Sequence, residues 1–180
     1  MFKPGLTIKS KSRNPDLDEG RHARAKLGFI LMSTDLAAES DFFDIAPKDV
    51  AIHITRLKTD DYTTNETLSR HIEFMADAAS RIQPDTKPNV ISYSCTSGSI
   101  VIGEERIKEE IKKGAPYTIP MTLVTGVVDA LKELKMNRSN IMLHFEDYED
   151  SFDNEDEQVN KLLKKLPNLK VEAICWNEDE

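Results

Sequence analysis

The sequence predicts an α/β fold, a doubly wound parallel sheet of the Rossmann or flavodoxin-like kind followed by part of a second α/β lobe. Two observations predict it. Short apolar runs rich in β-branched residues alternate along the chain with stretches whose apolar residues recur at helical spacing. The run Val90-Ile91-Ser92-Tyr93-Ser94-Cys95 also ends abruptly in Thr96-Ser97-Gly98-Ser99, which reads as the turn and N-cap of a helix over 102–113. Strand, small-residue turn and helix in repeated order are the mark of parallel strands joined by crossover helices.

The elements follow in order. Residues 1–24 carry six Lys and Arg among Gly, Pro and Ser, with only Phe2, Leu6, Ile8 and Leu17 to bury, and read as an extended arm. Leu27-Gly28-Phe29-Ile30-Leu31-Met32 is a short buried strand closed by Ser33-Thr34-Asp35. Residues 37–43 read as a short helix, and Val50 to Leu57 as a second strand with His53 inside its apolar alternation. Thr63-Thr64-Asn65-Glu66 caps a helix whose Leu68, Ile72, Met75, Ala76 and Ala79 recur at helical spacing through Ile82. After the central run, Ile107 and Ile111 point a helix inward while Glu104, Glu105, Glu109 and Glu110 face water. Residues 115–120 read as a connector strand and 121–135 as a helix with Leu123, Val124, Val127, Val128 and Leu131 on its inner face. Residues 140–145 and 171–176 read as two further strands, with an acid-rich loop and a Val159, Leu162, Leu163, Leu166 stripe between them. The expected organisation is therefore an arm (1–24), a first lobe (25–136) and a partial second lobe (137–180).

Composition bounds the function. A chain of 180 residues holds one ordinary domain of about 100 to 150 residues and an extra piece. The net charge is −8, with acids clustered over 146–157 and in the last three residues, which argues against nucleic acid or an anionic membrane as partner. Cys95 and Cys175 lie far apart without CxxC spacing, so neither a zinc site nor a disulfide framework is indicated, and a reducing cytoplasm is the expected setting. No apolar run approaches the roughly 18 residues that span a bilayer, and the N-terminus lacks the apolar segment of a secretory signal.

Cys95 is the candidate for chemistry. It stands at the carboxyl end of a predicted parallel strand, the edge at which open α/β sheets bind ligands, where helix N-termini present unpaired N–H groups. That field is expected to stabilise a thiolate and make the side chain a nucleophile or carbon-acid base. The alternative is an inert, packed cysteine.

The segments Cys95-Thr96-Ser97-Gly98-Ser99-Ile100-Val101-Ile102-Gly103-Glu104 and Leu31-Met32-Ser33-Thr34-Asp35-Leu36-Ala37-Ala38-Glu39-Ser40-Asp41-Phe42, with Pro120-Met121-Thr122 opening a helix, resemble the aspartate/glutamate racemase superfamily. Within it the chain is most similar to the maleate cis-trans isomerase and arylmalonate decarboxylase branch, above all to the ectoine-utilisation protein A type. The resemblance spans about residues 25–143. It implies a cofactor-independent, metal-free isomerase, racemase or decarboxylase with two α/β lobes around a cleft and one cysteine typically given by each lobe. Carried onto this chain, it makes Cys95 the first-lobe cysteine and assigns Thr96 and Ser97 to a substrate carboxylate or enediolate. Ser33, Thr34 and Asp35 fall on the loop for the other carboxylate, and Tyr148 on a tyrosine that binds the same anion.

Two departures qualify what is implied. Asp35 stands where maleate isomerases carry asparagine, and its charge repels a second carboxylate. Cys175 falls inside a strand pattern rather than before a small-residue turn, so it does not supply a second-lobe thiol, and that lobe is expected to be shortened or degenerate. Three readings follow. The chain is an enzyme acting on a small carboxylate through Cys95, expected as a homo-oligomer; or a binding or interaction module that has lost the chemistry; or an incomplete chain completed by a partner.

Overall fold

The computed structural model describes residues 22–82, 87–134, 140–145, 164 and 170–175. Four strands, β1 (Ala25–Met32), β2 (Val50–Leu57), β3 (Val90–Tyr93) and β4 (Ile119–Thr122), form one all-parallel sheet in the order β2-β1-β3-β4. A second, two-stranded parallel sheet pairs β5 (Asn140–Phe145) with β6 (Lys170–Cys175).

Beyond Lys26, β1 is apolar because both its faces are covered. Ile30 belongs to a core cluster with Leu57, Ile91 and Tyr93 of the sheet and Ile72, Met75, Ala79, Ile107 and Ile111 of helices α3 (Ile72–Ser80) and α5 (Glu104–Gly114). On the opposite face, Phe29 stacks on Phe42 of helix α1 (Ala38–Ile45) with ring centroids 4.0 Å apart. Helices thus flank both faces, as doubly wound topology requires. The chain runs from β1 outward to β2, then returns across β1 to β3, so the winding reverses between β1 and β3. The carboxyl ends of those two strands flank a topological switch point, where open α/β sheets hold their ligands.

Four elements differ from expectation, each for a local reason. The helix expected to run unbroken to Ile82 is two, α2 (Asn65–Arg70) and α3, separated by a tightened turn at His71 whose N–H donates to the Leu68 carbonyl. α2 begins in a capping box between Thr64 and Thr67. Thr96-Ser97-Gly98-Ser99 is not a turn but the first part of a helix, α4 (Thr96–Ile102), with Cys95 as its N-cap. Gly103, at φ +90°, then breaks the chain direction before α5, a conformation only glycine adopts without strain. The connector strand starts later than expected, at Ile119, because Ala115 to Thr118 close a turn through the Thr118 N–H and Ala115 carbonyl. Helix α6 (Leu123–Glu133) is capped by Thr122, whose hydroxyl accepts from the Thr125 N–H at 3.0 Å.

Two facing assignments are also corrected. Glu104 is largely covered and lies 3.8 Å from the Lys108 ammonium rather than facing water. Val127 turns outward, leaving Val128 as the buried residue of α6. Cys175 ends β6, as its strand pattern predicted. The arm up to residue 21, the acid-rich segment and Tyr148 lie outside the described residues.

Ile107 is fully buried between α5 and the sheet, whereas Leu36 is 96% exposed. Ile107→Ala is expected to lower stability by about 2–5 kcal/mol, and Leu36→Ala to change it by less than about 0.5 kcal/mol. Urea denaturation midpoints with an unchanged slope check both.

Candidate functional site at the β1 and β3 strand ends

The period of two along β3 puts Ile91, Tyr93 and Cys95 on one face of the sheet, and Cys95 packs at the margin of the core cluster there, half-buried. Its backbone is extended (φ −140°, ψ 115°), and as N-cap it turns the chain into α4. The Gly98 N–H donates to Cys95 Sγ at 3.3 Å, the Ser97 N–H is directed to the same sulfur, and the Tyr93 hydroxyl lies beside it. The Cys95 carbonyl is also engaged, accepting from the Ser99 N–H at 3.0 Å and the Ser99 hydroxyl at 2.6 Å. The sulfur is therefore held in the place a capping oxygen takes at other helix starts.

Burial and hydrogen bonding act in opposite directions on this thiol. Desolvation raises its pKa, and the hydrogen bonds from Gly98, Tyr93 and Ser97 lower it; burial is the larger effect, and the net shift is upward. This corrects the expectation that the helix start alone would favour the thiolate. The resting side chain is a neutral thiol surrounded by donors suited to its anion.

Tyr93 and His71 belong to the same arrangement. Tyr93 is fully buried, and its hydroxyl lies 2.8 Å from His71 Nδ1, with His71 also buried. Burial, and then the neighbouring Cys95, hold the phenol well above its ordinary pKa. Burial lowers the pKa of His71, partly offset by the Asp60 carboxylate. Tyr93 could have been found from the sequence, since it stands two residues before Cys95 in a strand. His71 carried no such signal, because its helix position relates to β3 only through tertiary packing.

The loop after β1 supplies the facing side of the switch point. Ser33 and Thr59 hydrogen-bond through their hydroxyls, and the Ser33 N–H donates to the Leu57 carbonyl at 3.0 Å, tying the ends of β1 and β2 together. Asp35 Oδ1 accepts from the Ala37 and Ala38 N–H groups at 3.0 and 2.8 Å, so its carboxylate anchors the start of α1. Thr34 and Thr96 are exposed, and Ser97 is half-buried. Arg56, which was not singled out from the sequence, fixes this loop. Its guanidinium donates to the Met32 carbonyl at 3.1 Å, the Asp35 carbonyl at 2.8 Å and the Glu39 carboxylate at 2.9 Å.

No protein-family model matches the sequence, and no curated protein is a detectable relative. Solved structures do match. The Nocardia farcinica maleate cis-trans isomerase, as a cysteine-to-serine mutant with a covalently bound succinylcysteine intermediate, superposes with a TM-score of 0.61 at 15% identity, over 84% of this chain and 64% of that one. The maleate isomerase Iso of Pseudomonas putida S16, as a cysteine-to-alanine variant with maleate, gives 0.59 at 16% identity, over 84% and 62%. An unliganded arylmalonate decarboxylase gives 0.58 at 19% identity, over 87% and 62%. The fold is that of the maleate isomerases. The chain spans less than two thirds of the length of these structural neighbours. Among the described residues, no cluster of three or more His, Cys, Asp or Glu is placed to hold a metal ion, and no helix is long and apolar enough to cross a membrane.

Two predictions follow from this geometry. A Cβ on Gly98 would lie 2.1 Å from the Tyr93 hydroxyl, while one on Gly126 would meet nothing closer than Met121 Cε at 3.9 Å. Gly98→Ala is expected to cost about 1–3 kcal/mol through overpacking. Gly126→Ala is expected to stabilise by up to about 1 kcal/mol through helix propensity. Thermal melts compare the two.

The second concerns pH. The folded-state pKa values of His71 and His53 are lowered from 6.5, so below that pH the unfolded chain binds protons that the folded chain does not. The stabilisation from keeping both imidazoles neutral is complete above pH 6.5 and is lost as pH falls through the folded values. Urea midpoints are expected to drop between pH 7.5 and 5.5, with a shallower drop in His71→Gln.

Proposed function

We propose that the chain is a cofactor-independent enzyme of the isomerase and decarboxylase type found on this fold, acting on a small carboxylate through the Cys95 thiolate. The observation that carries the proposal is the convergence of the Gly98 N–H, at 3.3 Å, and the Ser97 N–H on a half-buried cysteine sulfur at the switch point, with the Tyr93 hydroxyl beside it. Such donors cost little reorganisation when the sulfur becomes an anion, which is the condition for electrostatic stabilisation of a nucleophile. The succinylcysteine on the Nocardia isomerase shows that a cysteine on this fold can bond to the substrate carbon.

For isomerisation, the thiolate forms an S–C bond with one alkene carbon, and the π pair moves onto the adjacent carbon and its carboxylate as an enediolate. Rotation about the resulting single bond, return of the pair and S–C cleavage give the trans alkene and regenerate the thiolate. For decarboxylation, loss of carbon dioxide leaves the same kind of enediolate, which takes a proton from the Cys95 thiol. Thr96 and Ser97, at the start of α4, are the residues proposed to hold the carboxylate or enediolate. Ser33, Thr34 and Asp35 line the opposing loop, and Tyr148 completes the set that the family resemblance implies. Membership of the aspartate/glutamate racemase superfamily, in its ectoine-utilisation branch, and assembly as a homo-oligomer belong to the same proposal.

A second reading is a carboxylate-binding module without turnover. It is favoured by the burial that holds the Cys95 thiol protonated at rest. Proton NMR of maleate and of an arylmalonate incubated with the protein separates the two. Turnover of either substrate, reduced by at least ~10³-fold in Cys95→Ser, is the expected result. Saturable binding with no product from either substrate overturns the enzyme reading in favour of the module.

A further inference from the structure

His71 is the buried titratable group that the proposed chemistry leaves without a task. Its Nδ1 lies 2.8 Å from the Tyr93 hydroxyl, and that hydroxyl lies beside the Cys95 thiol under Gly98, whose N–H reaches the sulfur at 3.3 Å. We propose that His71 acts through Tyr93 as the store for the Cys95 proton, so that the thiolate forms by an internal proton shift within a closed, net-neutral unit. The inference rests on Cys95 being the reactive group, and His71 is in these terms a positioning residue that never meets substrate.

The balance is simple. At rest the thiol donates to the Tyr93 oxygen, and the Tyr93 proton points to His71 Nδ1. In the activated form the sulfur proton has passed to the Tyr93 oxygen and the original phenolic proton to Nδ1. This leaves a thiolate, a neutral tyrosine now donating to it, and an imidazolium. One proton moves at each link and none is exchanged with water. Tyr93 never has to ionise, in keeping with a phenol that burial holds well above its ordinary pKa.

The surroundings suit such a unit. Asp60, from the loop after β2, is the carboxylate that favours a charged His71, and it is shared with Arg70 at 3.4 Å. Helix α4, packed on α2, contributes no titratable or charged side chain apart from its cap Cys95, its residues being Thr96-Ser97-Gly98-Ser99-Ile100-Val101-Ile102. On β3, the titratable group that faces His71 is Tyr93 itself. An isolated imidazolium here is disfavoured by burial, so the proton is retained only while the thiolate is present to balance it.

Coupled sites titrate as a pair, and this gives the test its signature. The protein is alkylated with iodoacetamide from pH 5.5 to 10, and the rate at Cys95 is read by peptide mass spectrometry, separately from Cys175. For an uncoupled thiol the rate falls about tenfold per pH unit below its pKa. In the wild-type protein the Cys95 rate is expected to level off across about pH 6.5–7.5, because the internally shifted form has a pH-independent population. In His71→Gln and in Tyr93→Phe the tenfold slope is expected to return, and the double variant is expected to match either single one.

A wild-type slope of tenfold per unit throughout, or a plateau that survives in both variants, overturns the relay. If a variant does not fold, histidine NMR of the wild type and Cys95→Ser gives the same decision. The His71 imidazole is expected to lose, in Cys95→Ser, a titration step that it shows in the wild type, and identical His71 curves overturn the proposal. Neither measurement needs a substrate, so failure of the relay is distinguishable from failure of the enzymatic reading, which turnover decides.

Discussion

The approach of helix α4 to the Tyr93 hydroxyl is the constraint on which the site depends. Gly98 lies so close above that oxygen that no larger residue fits, and this contact sets how far α4 sinks toward the sheet. At that depth its first-turn N–H groups reach Cys95 Sγ rather than solvent. The same phenol hydrogen-bonds His71 Nδ1 at 2.8 Å. A helix start, a strand end and a buried histidine are therefore fixed by one close-packed contact, and interiors of this density do not relax to accept an added methyl group.

Most of the fold was legible because burial on two faces leaves a plain record in composition. β1, β2 and β3 were each placed within about a residue or two of their observed bounds, since continuous apolar runs admit few other readings. The reversal between β1 and β3 follows from connectivity and could not be read as a pattern. α4 was missed because Thr96-Ser97-Gly98-Ser99 is poor in helix formers and rich in turn formers. Tertiary contact overrides that preference: Cys95 caps the helix, Ser99 bonds back to the Cys95 carbonyl, and Gly98 is required by Tyr93. The break at His71 was missed for the complementary reason, the apolar spacing of Leu68, Ile72, Met75 and Ala79 running through it undisturbed.

The site was legible in its centre and not in its support. Cys95 was located by the change from β-branched to small residues, a local feature of sequence. Arg56 and His71 are distant in sequence from what they hold, and nothing in a strand arginine or a helical histidine identifies a loop carbonyl or a phenol as its partner. Position in sequence also gave the sign of the Cys95 pKa shift wrongly. A helix start stabilises an anion by roughly 0.3–1 kcal/mol when exposed, whereas the desolvation of a largely covered charged group is greater, and only packing reveals how much of the sulfur is covered.

The β1 loop differs electrostatically from the start of α4. Asp35 uses one carboxylate oxygen for the α1 backbone, and Ser33 is engaged by Thr59, so neither is a free cationic or N–H donor for an anion. The Arg56 guanidinium at this loop is itself bound to two carbonyls and to Glu39. Among the described residues, an anion approaching this side meets the Asp35 carboxylate with no unengaged guanidinium at the loop, whereas the start of α4 carries the hydroxyls of Thr96 and Ser97. Like charges about 4 Å apart near a protein surface cost about 4 kcal/mol, so an anion is disfavoured on the β1 side relative to the α4 side.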